Sequence, residues 1–464
     1  MKSEVKVYER ENGEIQRVQV VSWDDWSQLD FLWLEQKSLE QQKKALECFN
    51  DIYQNYLVPV MPWIFPKMVM FVLPEDEEMY ELLKKCAKIE HDWCYESKRY
   101  GKVSEPLTVA SIILKEGVKR RNGKLVFLNE AAEVLYRELE TRGCVKSSGG
   151  KFPGIKIIPV GRFAGYLSQE AEDAKIKVNS SFFIMDPFDC ATIYDQIGMP
   201  FGLCVKDGVV ELPPLYEREA LLVEKDGTAY ISQKDIKELI IEINGKTYVP
   251  GKNTTIYTRP SRAKTKEEKK KLLVIVGRRV VAVKNGGKVD IPASGFVMTV
   301  GKNAAVEPGD EVTYHGLKDV SFGIQTGNSI VRKGVKTERF ISRFYDIYKL
   351  QRVPFPPSLY PMDFEKARAA RIGLGADKAG KPVLFWAEGK GKIVYKPGED
   401  STGASLVEMA EIAEDLGLYN AINLDGGGSA QILIDNVRTL HISDRNKEDN
   451  SEAERLVPLG LAVR

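Results

Sequence analysis

Histidine is almost missing from this chain: His91, His315 and His441 are the only three in 464 residues. With so few, no HExxH zinc-peptidase pattern can form, and neither a Gly-x-Ser-x-Gly elbow nor a matched Cys/His catalytic signature occurs. Cysteine is also sparse and one-sided. All six, at Cys48, Cys86, Cys94, Cys144, Cys190 and Cys204, precede Val205, and none forms a CxxC pair, so free thiols are expected and not a disulfide framework. An excess of one charge is missing too. Lys and Arg number 67 against 66 Asp and Glu, a net charge of +1, which removes the electrostatic footprint of a nucleic-acid binder; no nucleic-acid partner is expected. Long apolar runs are absent. The most apolar stretch, Val58 to Leu73, carries three prolines and a lysine and is too short for a bilayer of ~30 Å, so it reads as core or interface, with no membrane span. The first residues, MKSEVKVYERENGEIQ, lack the apolar centre of a secretion leader. The expected compartment is therefore the cytoplasm, or a larger particle such as a virion.

What is present falls into two textures. Up to residue 150, Ser38 to Tyr56, Glu77 to Tyr100 and Asn129 to Arg142 place apolar residues at helical spacing among Glu, Lys and Gln. Val145 to Lys151 (VKSSGGK) reads as a flexible joint. After it come short β-type runs, with hairpin signals at Asp207–Gly208, Asp226–Gly227 and Asn244–Gly245, where primed turns need positive φ. The charged run from Lys264 to Lys271 reads as a solvated loop between strands. The expected fold class is α+β: a mixed, largely antiparallel sheet catalytic domain with packed helices over 151–464, preceded by a mostly helical N-terminal domain over 1–150, the second offering a route to homo-oligomers or a larger assembly. One helix is well specified. Ser405 and Glu408 form a Ser-x-x-Glu capping box, positions 406, 409, 410, 413 and 416 form an apolar stripe, and Gly417 suits the stop.

Candidate sites differ in how well they resist a bland explanation. GADKAGK at 375–381 has P-loop spacing, but Pro382 stands where the magnesium-binding hydroxyl belongs and a strand follows, so a hairpin turn is expected. Cys86, His91 and Cys94 lie close together on an expected helix but have no fourth zinc ligand. "NLDGGGSAQ", Asn423 to Gln431, is harder to dismiss. A hairpin needs one or two residues of special φ, not three glycines between Asp425 and Ser429, and glycines within strands mark close approach by a ligand or another backbone. Successive amides in such a turn can form an anion-binding concavity, with Ser429 adding a hydroxyl and Asp425 at the rim as acid, base or nucleophile.

LDGGGSAQ, with the capped helix before it and SDRNKEDNSEAERLVPLGLAVR after it, resembles the phosphodiester glycosidase family. KVNSSFF, GLCVKDGVV, IPASGFVMTVGKNAA, EPGDEV, QTGNSIVRKG and ARAARIGLG fall in the family's order, so the likeness runs from about Phe152 to Arg464. It implies that Asn179, Arg371, Asp425, Gly426, Gly427, Gly428, Ser429 and Arg455, with Arg445, line the substrate site; for the carboxylate that activates water or attacks the sugar, the first choice is Asp425 and the second Glu388. The chain departs from the family pattern twice: Glu388 stands where Asp is usual, and Ser180 where Gly is favoured, the second a change that could narrow the pocket. The implied activity is release of a sugar, N-acetylglucosamine-like, from a sugar-1-phosphodiester, with phosphate held by arginine forks and glycine amides. No cofactor is certain; carboxylates and carbonyls are also compatible with Ca2+ or Mg2+. Two other readings stay open, a non-catalytic glycan or phosphoglycan-binding module and a phosphodiesterase attacking phosphorus.

Overall fold

A computed structural model describes residues 1–10, 13–35, 40–41, 68–72, 101–102, 114, 117–122, 124–141, 145–147, 155–159, 164–185, 192, 194–195, 197–200, 202–216, 218–259, 262–338, 367–389, 396–446 and 449–464. Among these residues the protein is mostly β, and the expected α+β class with a helical first domain is overturned. Only two α-helices are delimited there, α1 (Glu130–Thr141) and α2 (Leu406–Asp415). The chain opens instead with β1 (Lys2–Glu9), β2 (Ile15–Ser22) and β3 (Leu29–Trp33). The reason is visible in the alternation of SEVKVYE and IQRVQVV, a period of two that suits a pleated strand and not a helix. The two longer helical readings, Ser38 to Tyr56 and Glu77 to Tyr100, lie outside the described residues apart from Glu40 and Gln41, as do the Cys86, His91 and Cys94 group and most of the apolar stretch at 58–73.

Two sheets carry the site. Their further strands are β4 (Ile176–Asn179), β5 (Ser329–Arg332), β6 (Val335–Lys336), β7 (Arg371–Asp377), β8 (Pro382–Ala387), β9 (Leu418–Asn423), β10 (Ile432–Ile434) and β11 (Leu459–Val463). The larger is seven-stranded and antiparallel throughout, in the order β1-β2-β8-β7-β9-β5-β6. The smaller runs β10-β4-β11-β3, again antiparallel. The first three strands are thus built into sheets whose other members come from residues 176–463. Three of the expected hairpins form: Asp207 and Gly208 join Cys204–Lys206 to Val209–Leu212, Gly227 turns Arg218–Glu224 into Ala229–Lys234, and Asn244 with Gly245 joins Ile240–Ile243 to Lys246–Tyr248. The charged run is not wholly a loop, since Glu268 to Lys271 open the strand Glu268–Val276; Lys269 and Lys270 are exposed, and the strand continues into the core as Leu272 to Ile275, all buried.

The large sheet is buried on both faces by alternate residues. Val18, Val20, Val383, Phe385 and Ala421 meet Leu406, Met409, Ala410, Ile412 and Ala413 of α2, whose capping box forms as the sequence predicts. On the other face Val21, Ile372, Leu374, Leu384, Trp386 and Ile422 pack with Ile176, Val178, Ile432 and Leu461 of the smaller sheet. The GADKAGK segment is the β7–β8 turn, where Asp377 Oδ1 accepts from the N–H groups of Ala379 and Lys381.

Glycine on the helix-facing side of β7 makes this packing fit. A Cβ on Gly373 would come within 2.2 Å of the Phe385 ring, which is fully buried. Gly373→Ala is therefore expected to cost about 1–3 kcal/mol, the usual range for overpacking a filled core. Chemical denaturation measures it, and an unchanged midpoint would show that the ring relocates freely.

Candidate active site

β7 and β9 place the glycine turn opposite an arginine. Gly373 is registered on Asn423 and the Leu424 N–H donates to Ile372 O at 2.8 Å, so Asp425, just past the end of β9, falls opposite Arg371, the first residue of β7. From the other sheet, Asn179 at the end of β4 reaches across with both ends of its amide. Its Nδ2 donates to Asp425 O at 2.8 Å and its Oδ1 accepts from the Gln431 N–H at 3.0 Å. The Asp425 N–H completes the clamp by donating to Ser180 O at 2.8 Å. Buried and spent in this way, Asn179 is placed to shape the turn. Ser180, which stands where the family favours Gly, turns its hydroxyl onto Leu459 O at 3.0 Å and is fully buried.

The three glycines have separate reasons. A Cβ on Gly426 would sit 2.7 Å from Ala370 O, and one on Gly428 would strike Asp444 Oδ1 at 2.1 Å and Arg455 Nη2 at 2.3 Å. Gly427 meets nothing within 4 Å but takes a φ of +60°, in the left-handed region that glycine occupies without strain. The close approach announced by the sequence is thus, at two of three positions, approach by the protein itself. The amides are partly spent as well. Gly426 N–H donates to Asp425 Oδ1 at 2.9 Å, Gly427 N–H to Ala370 O at 2.8 Å and Ser429 N–H to Gly426 O at 3.3 Å. The Gly428 N–H is left without an acceptor among the described residues. A concavity of several free amides reduces here to one free donor.

Asp425 is only partly accessible to solvent, and burial pushes its carboxyl pKa up to about 6 against the opposing pull of the Ser429 hydroxyl, Arg455, the Gly426 N–H and Arg371. Arg371 is buried, and desolvation draws it down to about 10 although Asp425 favours its charge. Its Nε and Nη2 donate to Ala404 O at 3.2 Å and Ala367 O at 3.1 Å, and its stem lies 3.6 Å from where a Gly426 Cβ would be. Arg455 is held differently, by a fork onto Asp444: Nε to Oδ2 at 2.8 Å and Nη2 to Oδ1 at 3.0 Å, with Nη1 on Met185 Sδ at 3.3 Å. The fork expected to face a phosphate is thus closed on Asp444. Nothing in the sequence reading singled out Asp444, though it lies beside Arg445 in the SDRN segment.

Glu388 lies just past the end of β8, 3% exposed, with Oε2 on Arg17 Nη1 at 3.2 Å and Oε1 accepting the His441 N–H at 2.8 Å. Both oxygens are therefore committed to local partners. Arg445 pairs with Glu452 at 3.6 Å, and Glu452 also holds His441 Nδ1. Behind the turn, Gln431 Nε2 donates to Glu454 at 3.3 Å, and Glu454 is further held by Ser168 and Arg438. Among the described residues no group of three or more His, Cys, Asp or Glu side chains is arranged to hold a metal ion.

Residues 237–464, which include all of these groups except Asn179, Ser180, Met185, Arg17 and Ser168, match the family model described as phosphodiester glycosidase. The N-acetylglucosamine-1-phosphodiester alpha-N-acetylglucosaminidases of Mus musculus and Homo sapiens are 33% and 34% identical to this chain over 100 residues, 22% of it. The matched part is 18% of the length of each of these curated relatives. A solved zebrafish N-acetylglucosamine-1-phosphodiester alpha-N-acetylglucosaminidase catalytic domain, auto-inhibited by its pro-peptide, is similar at 16% identity over 65% of this chain and 67% of that one, with a TM-score of 0.33.

Proposed function

Since residues 237–464 belong to the phosphodiester glycosidase family, we propose that this protein hydrolyses a sugar-1-phosphodiester at the anomeric carbon, releasing an N-acetylglucosamine-like sugar and a phosphate monoester. The observation that carries the reading is the conjunction at one turn of a desolvated carboxylate, Asp425, two arginines that bear on it, and a Gly428 N–H with no described acceptor.

In the proposed reaction water adds to the anomeric carbon, the bond from that carbon to the bridging oxygen breaks, and its electron pair leaves with the phosphate. The departing group already carries negative charge, so little general-acid help is needed. Arg371 and the Gly428 N–H offset the charge that grows on it, and Arg455 adds to them with a charge shared with Asp444. Asp425 takes the role of accepting the water's proton or of attacking the carbon itself, and its pKa near 6 keeps it ionised at neutral pH while leaving it basic. Glu388 is better suited to positioning than to proton transfer, because Arg17 and the His441 N–H already satisfy its oxygens. Asn179 and Ser180 hold the turn.

The test is a panel of sugar-1-phosphodiesters, N-acetylglucosamine first, hydrolysed in 18O water with and without chelator. Label is expected in the released sugar. Label in the phosphate would replace this reading by attack on phosphorus, and no turnover with glycan binding intact would replace it by a binding module.

A further inference from the structure

β1 is the long open edge of the seven-stranded sheet, with no described strand on its outer side. Two hydrogen bonds fix which of its backbone groups face outward. The Arg10 N–H donates to Glu14 O at 2.7 Å, and the Glu388 N–H to Arg17 O at 2.9 Å. Given the registers Glu9 on Ile15 and Val18 on Ala387, odd residues of β2 bond to β8 and even residues bond to β1. On β1, therefore, Ser3, Val5 and Val7 turn both N–H and C=O away from the sheet. Val5 is 45% and Val7 58% exposed. The register with β2 is continuous from Lys2 to Glu9, without bulge or proline to blunt the edge. Such an edge is a ready template for another strand.

The charges on β1 choose the partner. In a two-fold antiparallel pair, opposed residues share a face, so their numbers add to an even sum. A sum of eight would set Glu4 on Glu4 and Lys2 on Lys6, and a sum of twelve would set Lys6 on Lys6; like charges directly opposed are destabilising. A sum of ten removes every such clash. Val5 then meets its own copy, Ser3 meets Val7, and Glu4 meets Lys6 of the partner subunit. The parity agrees as well: the odd pairs become the hydrogen-bonded ones, and the Glu4 to Lys6 pairs take the non-hydrogen-bonded positions, where the Cα atoms are only ~4.5 Å apart.

We propose that β1 is a homodimerisation edge, pairing antiparallel with β1 of a second copy about Val5 to make one continuous sheet of the two large sheets. The full chain should pass from monomer to dimer in sedimentation velocity over about a hundredfold range of concentration. Val5→Pro removes an N–H that makes no bond within the subunit, a place where an edge strand accepts proline. It should weaken the dimer at least about tenfold while leaving the melting temperature of the dilute chain unchanged. Glu4→Lys, which sets lysines against each other, should weaken it comparably. In hydrogen exchange, the amides of Val5 and Val7 should gain protection only at high concentration, whereas those of Lys6 and Tyr8 stay protected throughout. A chain that remains monomeric over that range, a dimer indifferent to Val5→Pro, or a dilute Val5→Pro chain that melts early would each overturn the proposal.

Discussion

Asp425→Asn should fold normally, lose about 10³-fold of kcat/KM on any phosphodiester the native chain hydrolyses, and melt higher than the native chain at pH 7. The first part follows from the role proposed for the carboxylate, because a positioned proton acceptor contributes about 10²–10⁴-fold and a nucleophile at least as much. The second follows from desolvation. Asp425 has its pKa raised from 3.8 to about 6, so the folded state binds the proton more tightly than the unfolded chain. The sign is then fixed: the stability contributed by the protonated group is fully present below pH ~4 and is lost as pH rises through about 6. Above that the native chain bears the cost of a buried charge, on the order of 1–3 kcal/mol, which asparagine does not. Asparagine still accepts the Gly426 N–H through its oxygen. Melting curves of both chains at pH 4 and pH 7.5 check this. A gap that is absent at pH 7.5, or equal at both pH values, would show that Asp425 is not held under this strain.

The same titration shapes the activity profile. If Asp425 must be ionised, kcat/KM of the native chain should fall below about pH 6. A bound phosphodiester adds negative charge beside the carboxylate, so the limb seen in kcat should lie higher than that in kcat/KM.

How much of this was legible depends on the range over which each signal acts. The capping box at Ser405 and Glu408, the DG and NG turns and the GADKAGK hairpin are local, set by a few consecutive residues, and each appears where the sequence places it. The alternation in β1 and β2 is equally local, and the helical spacing further along the chain does not reach back to it. The glycine run could be singled out because three adjacent residues without side chains are hard to explain otherwise. What surrounds them was not readable, since Asp444 and Ala370 at the turn and Arg17 at Glu388 arrive only through sheet pairing and loop return over long separations: Arg17 meets Glu388 across 371 positions. The count of free amides was likewise a matter of three dimensions. A turn's N–H groups are donors in any sequence, and only the fold decides that Gly427 spends its own on Ala370 O.

Gly428→Ala should be the most damaging substitution within the glycine run, and its comparison with Gly427→Ala separates fold from function. At Gly427 an added Cβ meets nothing within 4 Å, so the penalty is the positive φ alone, about 1–2 kcal/mol of stability. At Gly428 the Cβ would overlap both members of the Asp444–Arg455 fork. One of them has to move. If Arg455 moves, the phosphate loses a positioned cation, and a displacement of about 1 Å can cost about 10²-fold in rate. Gly428→Ala is therefore expected to lower kcat about 10²-fold, and Gly427→Ala severalfold at most. The pair Gly428→Ala with Asp444→Ala decides whether the fork transmits the effect. Removing Asp444 clears the 2.1 Å overlap at Oδ1 but also frees Arg455, so the double variant should be little worse than Asp444→Ala alone. Losses that simply multiply would mean that the glycine acts on the reaction by a route that does not pass through Arg455.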